Sequence, residues 1–106
     1  LNIHINMKVT ITQNDNVVEA TIEGRLDTVT SSEFEKQLAP FYQTPGIELV
    51  LDCNAMEYIS SAGLRVVLIA HKSITANGGR FVVCNLCKEV RSVFDMTGFS
   101  RILIIK

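Results

Sequence analysis

Long hydrophobic runs are missing from this chain: no apolar stretch approaches the roughly 18 residues that a membrane-crossing helix needs. Leu1 to Lys8 also lack the basic flank and apolar segment of a secretion signal, so a cytoplasmic protein is expected. An excess of charge of one sign is absent too. Ten Lys and Arg stand against eleven Asp and Glu, a formal charge of −1. No strong field therefore draws the chain to a phosphate backbone or to anionic lipid, and neither nucleic acid nor a membrane is an expected partner. Cysteine is sparse and odd in number. Cys53, Cys84 and Cys87 do not make a disulfide framework, and free thiols are expected. Cys84-Asn85-Leu86-Cys87 has C-x-x-C spacing, but zinc would need two further ligands. The only histidines, His4 and His71, have no metal spacing between them, so no metal is expected. The plainer reading is a buried cysteine at a strand end followed by a loop cysteine.

What the chain does have is enough apolar material for one interior. Of its 106 residues, 47% are hydrophobic and 20% charged, which suits one folded domain with no second core. Leu1 to Met7 read as an N-terminal extension or tail, and the domain as 8–106. Val9, Ile11 and then Val17 to Ile22 alternate around Asn14-Asp15-Asn16, which predicts a hairpin. Thr30-Ser31-Ser32-Glu33 reads as a capping box that starts a helix at Thr30, with Val29 and Phe34 as a hydrophobic staple. Pro40 should end that helix near Ala39. Ile47 to Asp52 reads as a central strand covered on both faces, followed by a loop from Cys53 to Ile59. A second helix is expected over Ser61 to Asn77, a strand over Arg80 to Cys84, a third helix from about Glu89 to Gly98, and a last strand over Ile102 to Ile105. Strands separated by helices imply right-handed crossovers and mostly parallel pairing after the hairpin. The expected fold class is α/β: one small domain with a mixed sheet, an N-terminal hairpin and helices in crossover connections.

The informative stretch is Asp52 to Arg65, where Ser60 and Ser61 stand at a helix start. Serine is a favoured N-cap because its oxygen accepts an otherwise unpaired backbone N–H, so one serine can be accounted for as a cap. The same helix end carries free N–H groups and partial positive charge, which suit a phosphate. Helical periodicity then sorts the faces. Gly63, Val67, Ala70 and Ile74, flanked by Leu64, Val66 and His71, should pack on the sheet. Ser61, Arg65 and Lys72 should face solvent, bordered by Leu68 and Ile69, which makes an apolar and basic rim beside a hydroxyl.

Several spaced motifs together resemble the STAS domain of bacterial anti-sigma factor antagonists. They are Gly24-Arg25-Leu26-Asp27, Tyr58-Ile59-Ser60-Ser61-Ala62-Gly63-Leu64, Gly78-Gly79-Arg80-Phe81-Val82-Val83-Cys84, and Val93-Phe94-Asp95-Met96-Thr97-Gly98. The resemblance runs from about Lys8 to Ile105. It implies that Ser61 is the residue phosphorylated by a partner anti-sigma factor, itself an ATP-dependent serine kinase. It also implies that Asp27 is an acidic position near that serine on the partner-facing side. The implied mechanism is partner switching: the unmodified chain binds the anti-sigma factor, phosphorylation breaks the complex, and a serine phosphatase restores it.

The chain departs from the family at two positions. Relatives commonly carry Asp directly before the acceptor, whereas this chain has Ser60, which makes Ser60 the alternative acceptor. Arg65 stands where a small residue is frequent and could pair with a phosphate one turn away. The partner-binding set implied is Asp27, Ser60, Ser61, Arg65, Leu68, Ile69 and Lys72. No cofactor is expected, since ATP belongs to the partner kinase, and the chain itself is expected not to be an enzyme.

Two rival readings compete with the switch. A serine hydrolase on Ser61 and His71 lacks one glycine of the nucleophile elbow and separates its residues by about 15 Å of helix rise. A non-switching scaffold subunit of a transporter or stress-sensing complex would use Ser61 only structurally.

Overall fold

A computed structural model describes residues 7–106. Of the expected extension at 1–7, residues 1–6 lie outside the described residues, and Met7 belongs to the domain instead, since it pairs with Gly24 and is buried. The first hairpin joins β1 (Met7–Asn14) to β2 (Val17–Leu26) through Asp15 and Asn16. Asp15 takes φ 56° there, a left-handed conformation that Asp tolerates because its short polar side chain can bond locally. After the hairpin come α1 (Thr28–Leu38), β3 (Glu48–Ile59), α2 (Ser61–Ala76), β4 (Arg80–Cys84), α3 (Lys88–Met96), the single turn α4 (Phe99–Ile102) and β5 (Ile104–Ile105). The five strands lie in chain order. Only β1–β2 is antiparallel; β2–β3, β3–β4 and β4–β5 are parallel. The expected mixed sheet with crossover helices is what forms.

Strand order then dictates the layers. Three right-handed crossovers stepping the same way across a sheet must carry their helices to the same face. One buried cluster accordingly joins Val18, Ala20, Leu49, Leu51, Phe81 and Val83 of the sheet to residues of α1, α2 and α3. The central strand, expected to be covered on both faces, is covered on one. Val50 and Asp52 point the other way and are only half-buried. Val82, although 4% exposed, lies outside the core cluster.

Four local expectations change. The helix expected at Thr30 begins two residues earlier, because Asp27 is the N-cap: its Oδ1 accepts from Val29 N and Thr30 N at 3.0 and 2.9 Å. The capping box is therefore Asp27 with Thr30, whose Oγ1 accepts from Asp27 N at 2.8 Å. Val29, 80% exposed, takes no part in a staple. The segment from Cys53 to Ile59 is strand rather than loop. Its polar residues hide the extension, and irregular register with β2 near Thr21 to Arg25 leaves Cys53, Met56 and Ile59 buried at intervals of three rather than two. Ile102 belongs to α4, so the last strand has only two residues. Pro40 ends α1 as expected, in a 3-10 turn over Ala39–Phe41, and Phe94 meets Phe99 edge to face at 6.1 Å around the left-handed Gly98.

Gly63 sets how closely α2 approaches the sheet. A Cβ there would stand 2.8 Å from Ile59 Cγ1 and 3.0 Å from Leu26 Cγ and Cδ2. Gly63→Ala should gain about 1 kcal/mol of helix propensity but overpack two buried side chains at a cost of about 1–3 kcal/mol. Net destabilisation of about 1 kcal/mol is expected, and a urea unfolding midpoint equal to or above wild type would contradict it.

Candidate functional site

The candidate site is the rim where β2 and β3 stop. Leu26 and Ile59 are register partners, and Ser60 N donates to Leu26 O at 2.9 Å, extending the parallel ladder by one bond. Both strands then enter N-cap residues of nearly the same backbone conformation. Asp27 has φ −98° and ψ −167°, Ser60 φ −93° and ψ 175°. Asp27 and the two serines, remote in sequence, are thereby neighbours, because adjacent strands lie about 5 Å apart.

The two serines separate into distinct roles. Ser60 is half-buried, and its Oγ accepts from Gly63 N at 3.2 Å while its carbonyl accepts from Leu64 N at 2.9 Å. Its side chain is the cap. Ser61 is the first residue of α2, is exposed, and its hydroxyl enters no hydrogen bond among the described residues. An α-helix leaves its first N–H groups without intrahelical partners, and Ser60 satisfies only that of Gly63 among them. The Ser61 and Ala62 N–H groups stay open to an anion, at a helix end with no acidic residue in its first turn.

The rest of α2 follows the expected faces in part. Gly63, Leu64, Val66, Val67, Ala70 and Ile74 are buried, whereas Ser61, Arg65 and Lys72 are exposed. Leu68 and Ile69, expected as aliphatics on the solvent face, are half-buried flanks of the packed face. Arg65 lies one turn from Ser61 and makes no ion pair among the described residues. It lines a cleft of about 180 Å³ between α1 and α2, opposite Thr28, Ser31, Ser32 and Glu35. In the sequence Ser31 and Ser32 read only as part of a capping box and Glu35 carries no signal of its own, while a cap at Thr30 rather than Asp27 puts the helix start past Thr28. Arg25 and Tyr58, cross-strand partners on the same rim, stack with the guanidinium 4.2 Å from the ring centroid.

His71 does not face Ser61. Its ring packs edge-on to Phe81, with centroids 6.2 Å apart. The cysteines are free. Burial pushes the thiol pKa of Cys53 and Cys84 upward, which weakens both as nucleophiles. Cys84 is half-buried rather than buried, and Cys87 caps α3 while donating from Sγ to Met56 O at 3.6 Å. Among the described residues no group of metal-ligating side chains comes together, and no helix is long and apolar enough to cross a membrane.

Residues 8–106 match the STAS domain family model. BtrV of Bordetella bronchiseptica, assigned as an anti-sigma factor antagonist, is 37% identical over 93 residues, covering 88% of this chain and 80% of that protein. The chain belongs to the STAS-domain family of anti-sigma factor antagonists. The Bacillus subtilis anti-sigma-B factor antagonist is 28% identical over 95% of this STAS chain and 92% of its own length. Among solved structures, an anti-sigma factor antagonist from Mycobacterium paratuberculosis has the same fold, with a TM-score of 0.83 at 21% identity over 93% of this chain and 84% of that one.

Asp27 supplies the pH dependence of this rim. The backbone N–H of Thr30, then its hydroxyl, hold the Asp27 carboxylate below the ordinary value of 3.8. A depressed folded-state pKa contributes stability that is present above the unfolded value and is lost as pH falls through the folded one. The stability gap between wild type and Asp27→Ala should thus be full at pH 7 and shrink below pH 3.8. Urea titrations at several pH values measure it, and a gap that widens on acidification would contradict the assignment.

Proposed function

We propose that this protein binds an anti-sigma factor when unmodified and releases it when Ser61 is phosphorylated. In this reading the anti-sigma factor is an ATP-dependent serine kinase, a serine phosphatase reverses the modification, and the outcome is control of sigma-dependent transcription. The observation that carries it is the division of labour at the start of α2. Ser60 spends its hydroxyl on the cap, and Ser61 presents a free one to solvent. That division favours Ser61 over Ser60 as the acceptor.

The chemistry of the rim supports a local switch. A phosphoserine adds about −1.5 to −2 charges at neutral pH. Beside Ser61 the open N–H groups of α2 and the guanidinium of Arg65 can take up an anion without refolding. The same charge opposes docking of a partner on Asp27, Ser60, Arg65, Leu68, Ile69 and Lys72, since an interface must strip water from it. Inverting a 99:1 equilibrium needs about 5.5 kcal/mol of differential affinity, and the water stripped from a phosphate on docking acts in that direction. Structures of the anti-sigma factor antagonist SpoIIAA in its unphosphorylated and phosphorylated forms have TM-scores of 0.75 and 0.74 to this chain, so one fold serves both forms of that protein.

Ser61→Ala should abolish phosphorylation at this position while retaining binding to the anti-sigma factor, and Ser61→Asp should weaken binding. Phosphopeptide mapping and calorimetric titration provide the readouts, and an Asp variant with wild-type affinity would sink the electrostatic account. Ser60→Ala should remain a substrate yet lose about 1 kcal/mol of stability, the usual worth of an N-cap. Loss of labelling in a folded Ser60→Ala protein would move the acceptor to Ser60.

A further inference from the structure

The first turns of α2 carry a cation that no acid among the described residues uses. Arg65 is exposed, and the ion pairs that form there are Arg80–Glu48 and Arg91–Asp95. Arg65 lines the cleft of about 180 Å³ between α1 and α2, with Thr28, Ser31 and Ser32 on the facing helix. Those three hydroxyls are spaced three and four residues apart, so they share one face of α1. Ser31 is 2% exposed and its Oγ has no hydrogen-bond partner, although its backbone N–H donates to Asp27 O at 3.0 Å. A buried hydroxyl left unpaired is costly, which favours a group that can accept from it.

Size and chemistry decide what such a cleft takes. Small-molecule sites usually run to about 300–1,000 Å³, whereas about 180 Å³ is room for a single side chain. Half-buried Ala62 and buried Val66 give the cleft apolar lining on the α2 side. The guanidinium and the hydroxyls are donors, a set that matches a carboxylate, whose two oxygens can take parallel bonds from an arginine. Glu35, the acid of the lining, is half-buried and lies seven residues beyond Thr28, about 10 Å along the helix. Burial, and then the Glu35 charge, push the Tyr42 hydroxyl up to about 12, which places that carboxylate toward the far end of α1 and away from the rim.

We propose that this cleft is a socket for an Asp or Glu side chain of the anti-sigma factor, with Arg65 as the residue that holds it. The proposal rests on the reading that this rim docks an anti-sigma factor and loses it when Ser61 is phosphorylated. Arg65 follows Ser61 by four residues and therefore lies on the same face of α2. A phosphate on Ser61 can thus take the guanidinium from within its own helix. Such an intramolecular pair displaces a partner's carboxylate, because the phosphate is held beside Arg65 at high effective concentration. Modification then withdraws the cation that the partner needs, besides placing charge in the interface.

Calorimetric titration of the full chain with its cognate anti-sigma factor, without ATP so that no phosphate is transferred, tests the socket. Arg65→Gln should weaken binding of the unmodified protein roughly tenfold, beyond the roughly fivefold ceiling of a solvent-exposed ion pair. Glu35→Gln should bind as wild type does, and urea midpoints control for folding. An Arg65→Gln affinity within about fivefold of wild type overturns the proposal. So does an equal loss in Glu35→Gln, which would make Glu35 the partner of Arg65.

Phosphoserine incorporated at position 61 tests the competition. Phosphorus NMR should show a lower second pKa for that phosphoserine in the wild-type background than in Arg65→Gln, and equal values would overturn the capture of Arg65. The two readings fail separately. Arg65→Gln at wild-type affinity, with phosphorylation still breaking the complex, overturns the socket and keeps the Ser61 reading. Arg65→Gln weakened, with the phosphorylated chain binding as tightly as the unmodified one, upholds the socket and overturns the Ser61 reading. A wild-type chain that does not bind the anti-sigma factor overturns both.

Discussion

The parallel register of β2 with β3 is the constraint on which this molecule depends. Leu26 and Ile59 stop side by side, and the first N–H beyond β3 closes onto the last carbonyl of β2. Side chains alternate along a strand, so a slip of one residue would turn the core-facing set outward and separate the two helix starts. With the register held, Asp27 and Ser60 cap neighbouring helices from equivalent positions. The hydroxyls that follow them, Thr28 and Ser61, stand exposed on one rim. Gly63 completes the arrangement by letting α2 sit directly on Leu26 and Ile59.

Strand order decides what the rim can do. Because all crossovers pass over one face, the core lies under the helices, and the hydroxyl-bearing helix starts gather at one edge of that layer. An exposed hydroxyl on a rigid helix start can gain charge without disturbing the buried cluster beneath it. Affinity could therefore change while the fold stays as it is, which is what the proposed switch requires.

Much of this was legible in the chain because the signals are local. The period of α2, the hairpin around Asp15, the break at Pro40 and the left-handed Gly98 each act within a few residues. The misread segments have a shared cause. Thr30 and Glu33 satisfy the capping-box pattern as well as Asp27 and Thr30 do, and only the pairing of β2 places Asp27 at the helix mouth. Asn54, Ala55, Glu57 and Tyr58 look like loop because strand pairing, which no local pattern encodes, is what keeps them extended.

The amino-acid sequence alone determined the class of fold, the helix that begins at Ser61, the choice of its buried face and the two serines at its start. These follow from periodicity and capping chemistry, which are properties of neighbours in the chain. Only the tertiary structure decided which serine is spent as a cap, that Thr28 repeats the position of Ser61, and that Arg65 faces α1 across a cleft holding an unpaired Ser31 hydroxyl. Those facts depend on residues more than thirty positions apart meeting at adjacent strand ends, and proximity of that kind exists only once the sheet has paired.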